Sequence, residues 1–230
     1  MNLSSKQTWL STILLSVILA GCTATQAPPV SFDGLNLVPD SKFGTVYLKP
    51  GVDMSEYKSV MVEDCEVSFR KNWMRDQNTN RLDLNNRVTQ KEVDKIKTNL
   101  GASCKEHFSQ ELADNSKYKL VDSLDTGEPT LLLKPSIINL DINAPDVRTA
   151  GMSRTYTTSA GEMTLFLEAA DGTSNAIIAR VVDRVRDFDD NYLTWSNSVT
   201  NRADANRVLS RWSKQLAEGL ANMEAATAAQ

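Results

Sequence analysis

The chain has 230 residues, 41% of them hydrophobic and 23% charged, with 25 lysines and arginines against 29 aspartates and glutamates, a formal charge of −4. That length supports one domain with a true hydrophobic core, and the composition is ordinary for a globular protein in water. The acidic balance excludes a non-specific nucleic-acid binder, which needs a basic surface.

The N-terminus reads as a secretory signal peptide. Lys6 supplies a positive charge, Trp9 to Leu19 a short apolar run, and small residues lead to Cys22. The run is well short of the roughly 20 residues a membrane-spanning helix needs. Leu19-Ala20-Gly21-Cys22 resembles the lipobox of bacterial lipoproteins. The resemblance implies lipid on the Cys22 thiol, cleavage before it, and an acylated amino group. Each buried methylene adds about 0.8 kcal/mol to membrane affinity, so two or more chains anchor stably. Thr23, in place of Asp, favours the outer membrane by resemblance to the sorting rule of enteric-type bacteria, with the domain facing the periplasm. The expected division is signal peptide 1–21, lipidated tether 22–31, a single domain 32–225 and a frayed end 226–230. The mature chain then carries 24 basic and 29 acidic side chains. Small residues and Pro28-Pro29 make 23–31 an extended tether.

Along the mature chain, Asp33-Gly34, Pro39-Asp40 and Pro50-Gly51 mark an irregular arm with one short strand at Thr45–Leu48. Ser59–Phe69 reads as a strand and Asn72–Asn86 as a long polar loop. Thr89 with Glu92 three residues on is a capping box, and the helix it opens runs to about Asn115. Gly101 inside that helix costs about 1 kcal/mol relative to Ala and marks close packing. Tyr118–Val121 is a short strand. Thr130–Ile142 is a long one, interrupted by Lys134-Pro135, which predicts an edge position or a bulge there. Pro145–Gly161 reads as a long loop. Glu162–Ala170 alternates, turns at Asp171-Gly172 and returns from Asn175 to Phe188 as a hairpin. Asn197–Asp204 is polar. From Ala205 to about Ala225 a closing helix carries Val208, Leu209, Trp212, Leu216, Leu220 and Met223 on one stripe. This order predicts an α+β fold: a mixed, mostly antiparallel sheet with two helices packed on one face.

With Cys22 taken by lipid, Cys65 and Cys104 remain as an even pair in an oxidising compartment. Cys104 sits on the apolar stripe of its helix and Cys65 shares a strand face with Val67 and Phe69. A disulfide is expected, worth about 4 kcal/mol in the chain-entropy model for a loop of about 40 residues. Two buried free thiols are the alternative.

Tyr47-Leu48-Lys49-Pro50-Gly51-Val52-Asp53, followed by Tyr57-Lys58-Ser59-Val60-Met61-Val62, resembles the opening of a bacterial lipoprotein family known only as domain of unknown function 3313. Ile178-Ala179-Arg180-Val181-Val182-Asp183-Arg184 resembles its later strand, and Trp212-Ser213-Lys214-Gln215-Leu216 its last helix. The resemblance spans most of residues 45–222. It implies fold and localisation and carries no activity to any residue.

No catalytic constellation emerges. His107 is the one histidine, reads as structural, and has no Gly-x-Ser-x-Gly elbow to serve. One histidine and a bridged cysteine pair do not make a zinc site. Asp187-Phe188-Asp189-Asp190-Asn191 lacks the EF-hand pattern and reads as a solvated loop. Asp183 and Asp187 are expected to pair with Arg180, Arg184 or Arg186 as surface ion pairs. No metal or cofactor is expected. Arg70, Trp73 and Met74, and separately Arg148, Arg154 and Tyr156, combine interface-rich side chains with loop positions. They are the candidate contacts for an envelope protein partner. The expected function is a membrane-anchored, non-enzymatic binding or adaptor domain. The alternatives are a peptidoglycan- or glycan-binding or -processing lipoprotein, and an oligomeric accessory subunit of an export system. No nucleic acid is expected as a partner.

Overall fold

The computed structural model describes residues 27–79, 84, 87–125, 127–142, 156–157, 161–186, 194–195 and 198–228. Their strands are β1 (Asn36–Leu37), β2 (Thr45–Leu48), β3 (Ser59–Val62), β4 (Glu66–Phe69), β5 (Lys119–Leu120), β6 (Thr130–Asp141), β7 (Tyr156–Thr157), β8 (Glu162–Asp171), β9 (Ile177–Arg186) and β10 (Thr194–Trp195). The helices are α1 (Trp73–Asn78), α2 (Gln90–Asn115) and α3 (Ser198–Ala228). The fold is α+β, as the element order implied. Eight strands form one mixed sheet in the order β1-β2-β9-β8-β6-β3-β5, with β4 also pairing β6. β3 and β4 run parallel to β6, and β6, β8, β9 and β2 follow one another antiparallel. β7 and β10 pair separately.

Side chains alternate across a strand, so register assigns each residue to a face. One face carries Val60 and Val62 of β3, Leu131, Leu133 and Ile137 of β6, Leu165, Leu167 and Ala169 of β8, and Val181 of β9, all buried in the core. Cys104, Phe108 and Leu112 of α2 and Leu209, Trp212, Leu216 and Leu220 of α3 complete that core. Thr89 caps α2 through the reciprocal bonds of a capping box with Glu92. A Cβ on Gly101 would lie 2.6 Å from the Cys65 carbonyl oxygen, so the missing side chain lets α2 approach the chain there. Cys65 and Cys104 form a disulfide with Cα atoms 6.0 Å apart.

The structure corrects the sequence reading in four places. Ser59–Phe69 is two strands, broken at Glu63–Cys65. The polar stretch after Asn72 begins with helix α1, because Trp73 is buried under Phe69 and anchors it. Lys134-Pro135 is neither an edge nor a bulge but the middle of a central strand, flanked by β8 on one side. The Leu133 carbonyl accepts from Glu63 N on the other side. By alternation the Pro135 nitrogen faces that same side, where β3 has ended and β4 has not begun, so the proline costs no ladder bond. The bulge comes later, between Ile138 and Asp141, with Asn139 in the left-handed region at φ 52°. Finally, α3 starts at Ser198, seven residues before the expected start at Ala205.

Candidate functional site

A concavity lies between α2 and α3, over the end of the sheet where β6 finishes, β8 begins and β9 ends. Its volume is about 700 Å³, within the roughly 300–1,000 Å³ of small-molecule sites and far above the water-sized voids of close-packed interiors. α2 contributes Glu92, Ile96, Asn99, Leu100 and Ser103, which share a helical face, and α3 contributes Ala205, Val208 and Arg211 among others. Leu140, Met163 and Val185 form the floor. Further along α3, Trp212 and Leu216 fill the corresponding space against the sheet. Here the apolar side chains α3 offers are only Ala205 and Val208, beside polar ones such as Asn206 and Arg211. Ile96, Leu100, Val185, Ala205 and Val208 are accordingly half-buried rather than sealed in the core.

Charged groups gather at the mouth. Arg184 makes two hydrogen bonds to Glu162, at 2.6 and 2.7 Å, and Arg186 donates to the same carboxylate at 2.8 Å. The Arg184 bond, and after it that of Arg186, holds the Glu162 carboxyl below the ordinary range. Two guanidinium groups thus share one carboxylate. Lys42, Arg184, Arg186, Arg211 and Gln215 surround an adjoining depression of about 330 Å³, which shares Val185, Arg186 and Arg211 with the main cleft. It exists because β2 pairs β9 only as far as Val182, leaving Asp183–Arg186 with a bare edge. Asp183 accepts from Gly44 N at 2.8 Å and from Trp212 Nε1 at 2.6 Å, and Arg211 reaches it only at 3.9 Å.

The expected ion pairs were therefore misassigned. Arg184 and Arg186 pair with Glu162, a cross-strand neighbour on β8, rather than with Asp183. Asp187 and the acidic run to Asn191 lie outside the described residues. Arg180 is clamped between Glu168 and Asp33, with two bonds to each, and its guanidinium lies 5.2 Å from the Phe32 ring centroid and 5.9 Å from that of Phe166. Sequence reasoning missed Asp33 and Glu168. The Glu168 partnership follows from register once β8 and β9 are aligned, whereas Asp33 comes from an arm with no periodicity.

The candidate contact residues divide. Trp73 is not an exposed indole: it is 2% exposed, stacks on Phe69 and donates from Nε1 to the Ile142 carbonyl. Arg70, half-buried, bonds Asp141 and Asp76, each at 2.6 Å, and this lowers the Asp76 carboxyl. Met74 is the surface member of the set. Tyr156 lies on β7. Cys22, Arg148 and Arg154 lie outside the described residues. Among the described residues, no group of three or more His, Cys, Asp or Glu side chains is placed to hold a metal, and no helix is long and apolar enough to cross a membrane.

The model of a family described as "protein of unknown function (DUF3313)" matches residues 31–216. The chain belongs to DUF3313. No curated protein matches it. Among solved structures, a PelC dodecamer from Paraburkholderia phytofirmans is similar at 10% identity over 75% of this chain and 98% of that one, with a TM-score of 0.38. A protein provisionally named a neuraminyllactose-binding hemagglutinin homolog, from Helicobacter pylori, is similar at 10% identity over 76% and 93%, with a TM-score of 0.36. A protein provisionally named a lipoprotein, from Caulobacter crescentus CB15, is similar at 12% identity over 77% and 96%, with a TM-score of 0.31. Likeness at this level carries no functional implication for this DUF3313 member.

Proposed function

We propose that this DUF3313 protein is a lipid-anchored binding lipoprotein of the outer membrane, facing the periplasm, and not an enzyme. Anchoring rests on the lipobox at Cys22. The observation that supports the binding role is the α2–α3 cleft, a concavity of about 700 Å³ with an aliphatic floor and polar and charged side chains around it, a size and build that suit a ligand site. Glycoside hydrolysis needs a carboxylic acid whose pKa is raised, a role that Glu162, held ionised by two arginines, does not fit. Arg70 and Met74 offer a second, protein-facing surface on the α1 side.

Cell fractionation with metabolic labelling by an alkyne fatty acid tests the anchor. The wild-type protein is expected labelled and in the outer-membrane fraction, and the Cys22→Ala variant unlabelled and released from the membrane. An unlabelled wild-type protein, or a Cys22→Ala variant that fractionates unchanged, would remove the lipoprotein reading.

A further inference from the structure

We infer that the α2–α3 cleft binds a single-chain anionic amphiphile, with its hydrocarbon chain along the cleft floor and its anionic group in the basic depression beside it. This deepens the binding role proposed above and rests on it. Three observations converge. First, among the described residues the apolar part of the cleft's lining is aliphatic, from Ile96, Leu100, Leu140, Met163, Val185 and Val208, which suits a flexible chain. Second, the cleft does not end in open solvent at β9. It continues, past Val185, Arg186 and Arg211, into a depression lined by Lys42, Arg184, Arg186 and Arg211, whose carboxylate neighbours are Asp183, Glu162 on the two β9 arginines and Glu218 on Lys42.

Third, Lys42 is paired with Glu218, but the three arginines outnumber the carboxylates that serve them. Glu162 serves both Arg184 and Arg186. The Asp183 carboxylate already accepts from Gly44 and Trp212, and Arg211 stands 3.9 Å from it. The chain as a whole is acidic, so this basic spot runs against the general balance. A monocarboxylate or a lysophospholipid has the required plan, an apolar chain joined to one anionic group.

Calorimetric titration of the full chain carrying Cys22→Ala, which has no acyl chains of its own, tests this. The probes are laurate, myristate, tetradecyltrimethylammonium and a myristoyl lysophosphatidylglycerol. Myristate is expected to bind at one site, about fourfold more weakly for each methylene removed, as burial of one methylene implies. The cationic probe should bind at least tenfold more weakly. Ser103→Trp, which fills the cleft from a half-buried position on α2, should abolish binding. Arg211→Ala should weaken the anionic probes while leaving the chain-length dependence intact. Tighter binding of the lysophospholipid than of myristate would identify a lipid headgroup as the anionic source, and the reverse order a free carboxylate; either supports the assignment. Absence of saturable binding, equal affinity for anionic and cationic probes, or unchanged binding in a folded Ser103→Trp variant would overturn it. Such a failure would leave the Cys22 labelling result untouched, so the two readings fail separately.

Discussion

At the scale of single residues, environment decides what each side chain does. Gly101 lies in the interior of α2, where Ala is ordinarily better by about 1 kcal/mol. Here a Cβ would stand 2.6 Å from a backbone oxygen that the adjacent disulfide holds in place. Gly101→Ala is therefore expected to destabilise, by about 1–3 kcal/mol, read as a lower midpoint in chemical denaturation. Asp33 is held at a pKa of about 2, first by its bonds to Arg180 and then by Ser31. Because the folded value lies below the ordinary 3.8, its contribution is complete above about pH 4 and is lost as pH falls toward 2. Carboxyl NMR titration should place Asp33 near 2, and Arg180→Met should return it toward the ordinary range. Tyr57 shows the opposite sign. Burial, and then the Asp171 carboxylate, push its phenol up to about 12. Below pH 10 the contribution is full, and it disappears between 10 and 12, so phenolate absorbance should show one tyrosine that ionises only with the alkaline transition.

At the scale of elements, the disulfide ties α2 to the segment between β3 and β4 across a sequence separation of 39 residues. Reducing it is expected to cost about 4 kcal/mol on the chain-entropy model, measured as a shift in the urea midpoint with and without reductant. What was legible in the sequence was whatever a local pattern encodes. The Thr89–Glu92 capping box, the β8–β9 hairpin and the α3 stripe came through because capping and periodicity are short-range. What failed was set by tertiary neighbours. Pro135 reads as an interruption, but the gap between β3 and β4 accepts its missing donor. Trp73 reads as an exposed indole in a polar loop, yet Phe69 and the Ile142 carbonyl bury it. The first turns of α3 read as a loop because helix and cleft wall need no apolar stripe. The cleft itself was invisible, since it is made by small residues such as Ala205 and Ser103 standing where larger ones would have sealed the core.

At the scale of the whole molecule, one sheet face is covered by α2 and α3, with the cleft between them where Ile96 and Leu100 of α2 face Ala205 and Val208 of α3. The arm reaches the other face, where Asp33 locks onto Arg180 of β9. The carbonyls of Pro28 and Pro29 already accept from the Tyr47 hydroxyl and Leu37 N, so an anchor at Cys22 would leave about six residues, roughly 20 Å when extended, and would keep the domain close to its bilayer, within reach of amphiphiles leaving it. The account stands or falls on whether the cleft is occupied in the cell. Native mass spectrometry of the Cys22→Ala protein recovered from the envelope compartment asks this directly. The account predicts one bound species per chain, whose fragments contain a single acyl chain and an anionic group, absent from the Ser103→Trp variant. A bare protein mass, or an adduct retained by that variant, would contradict it.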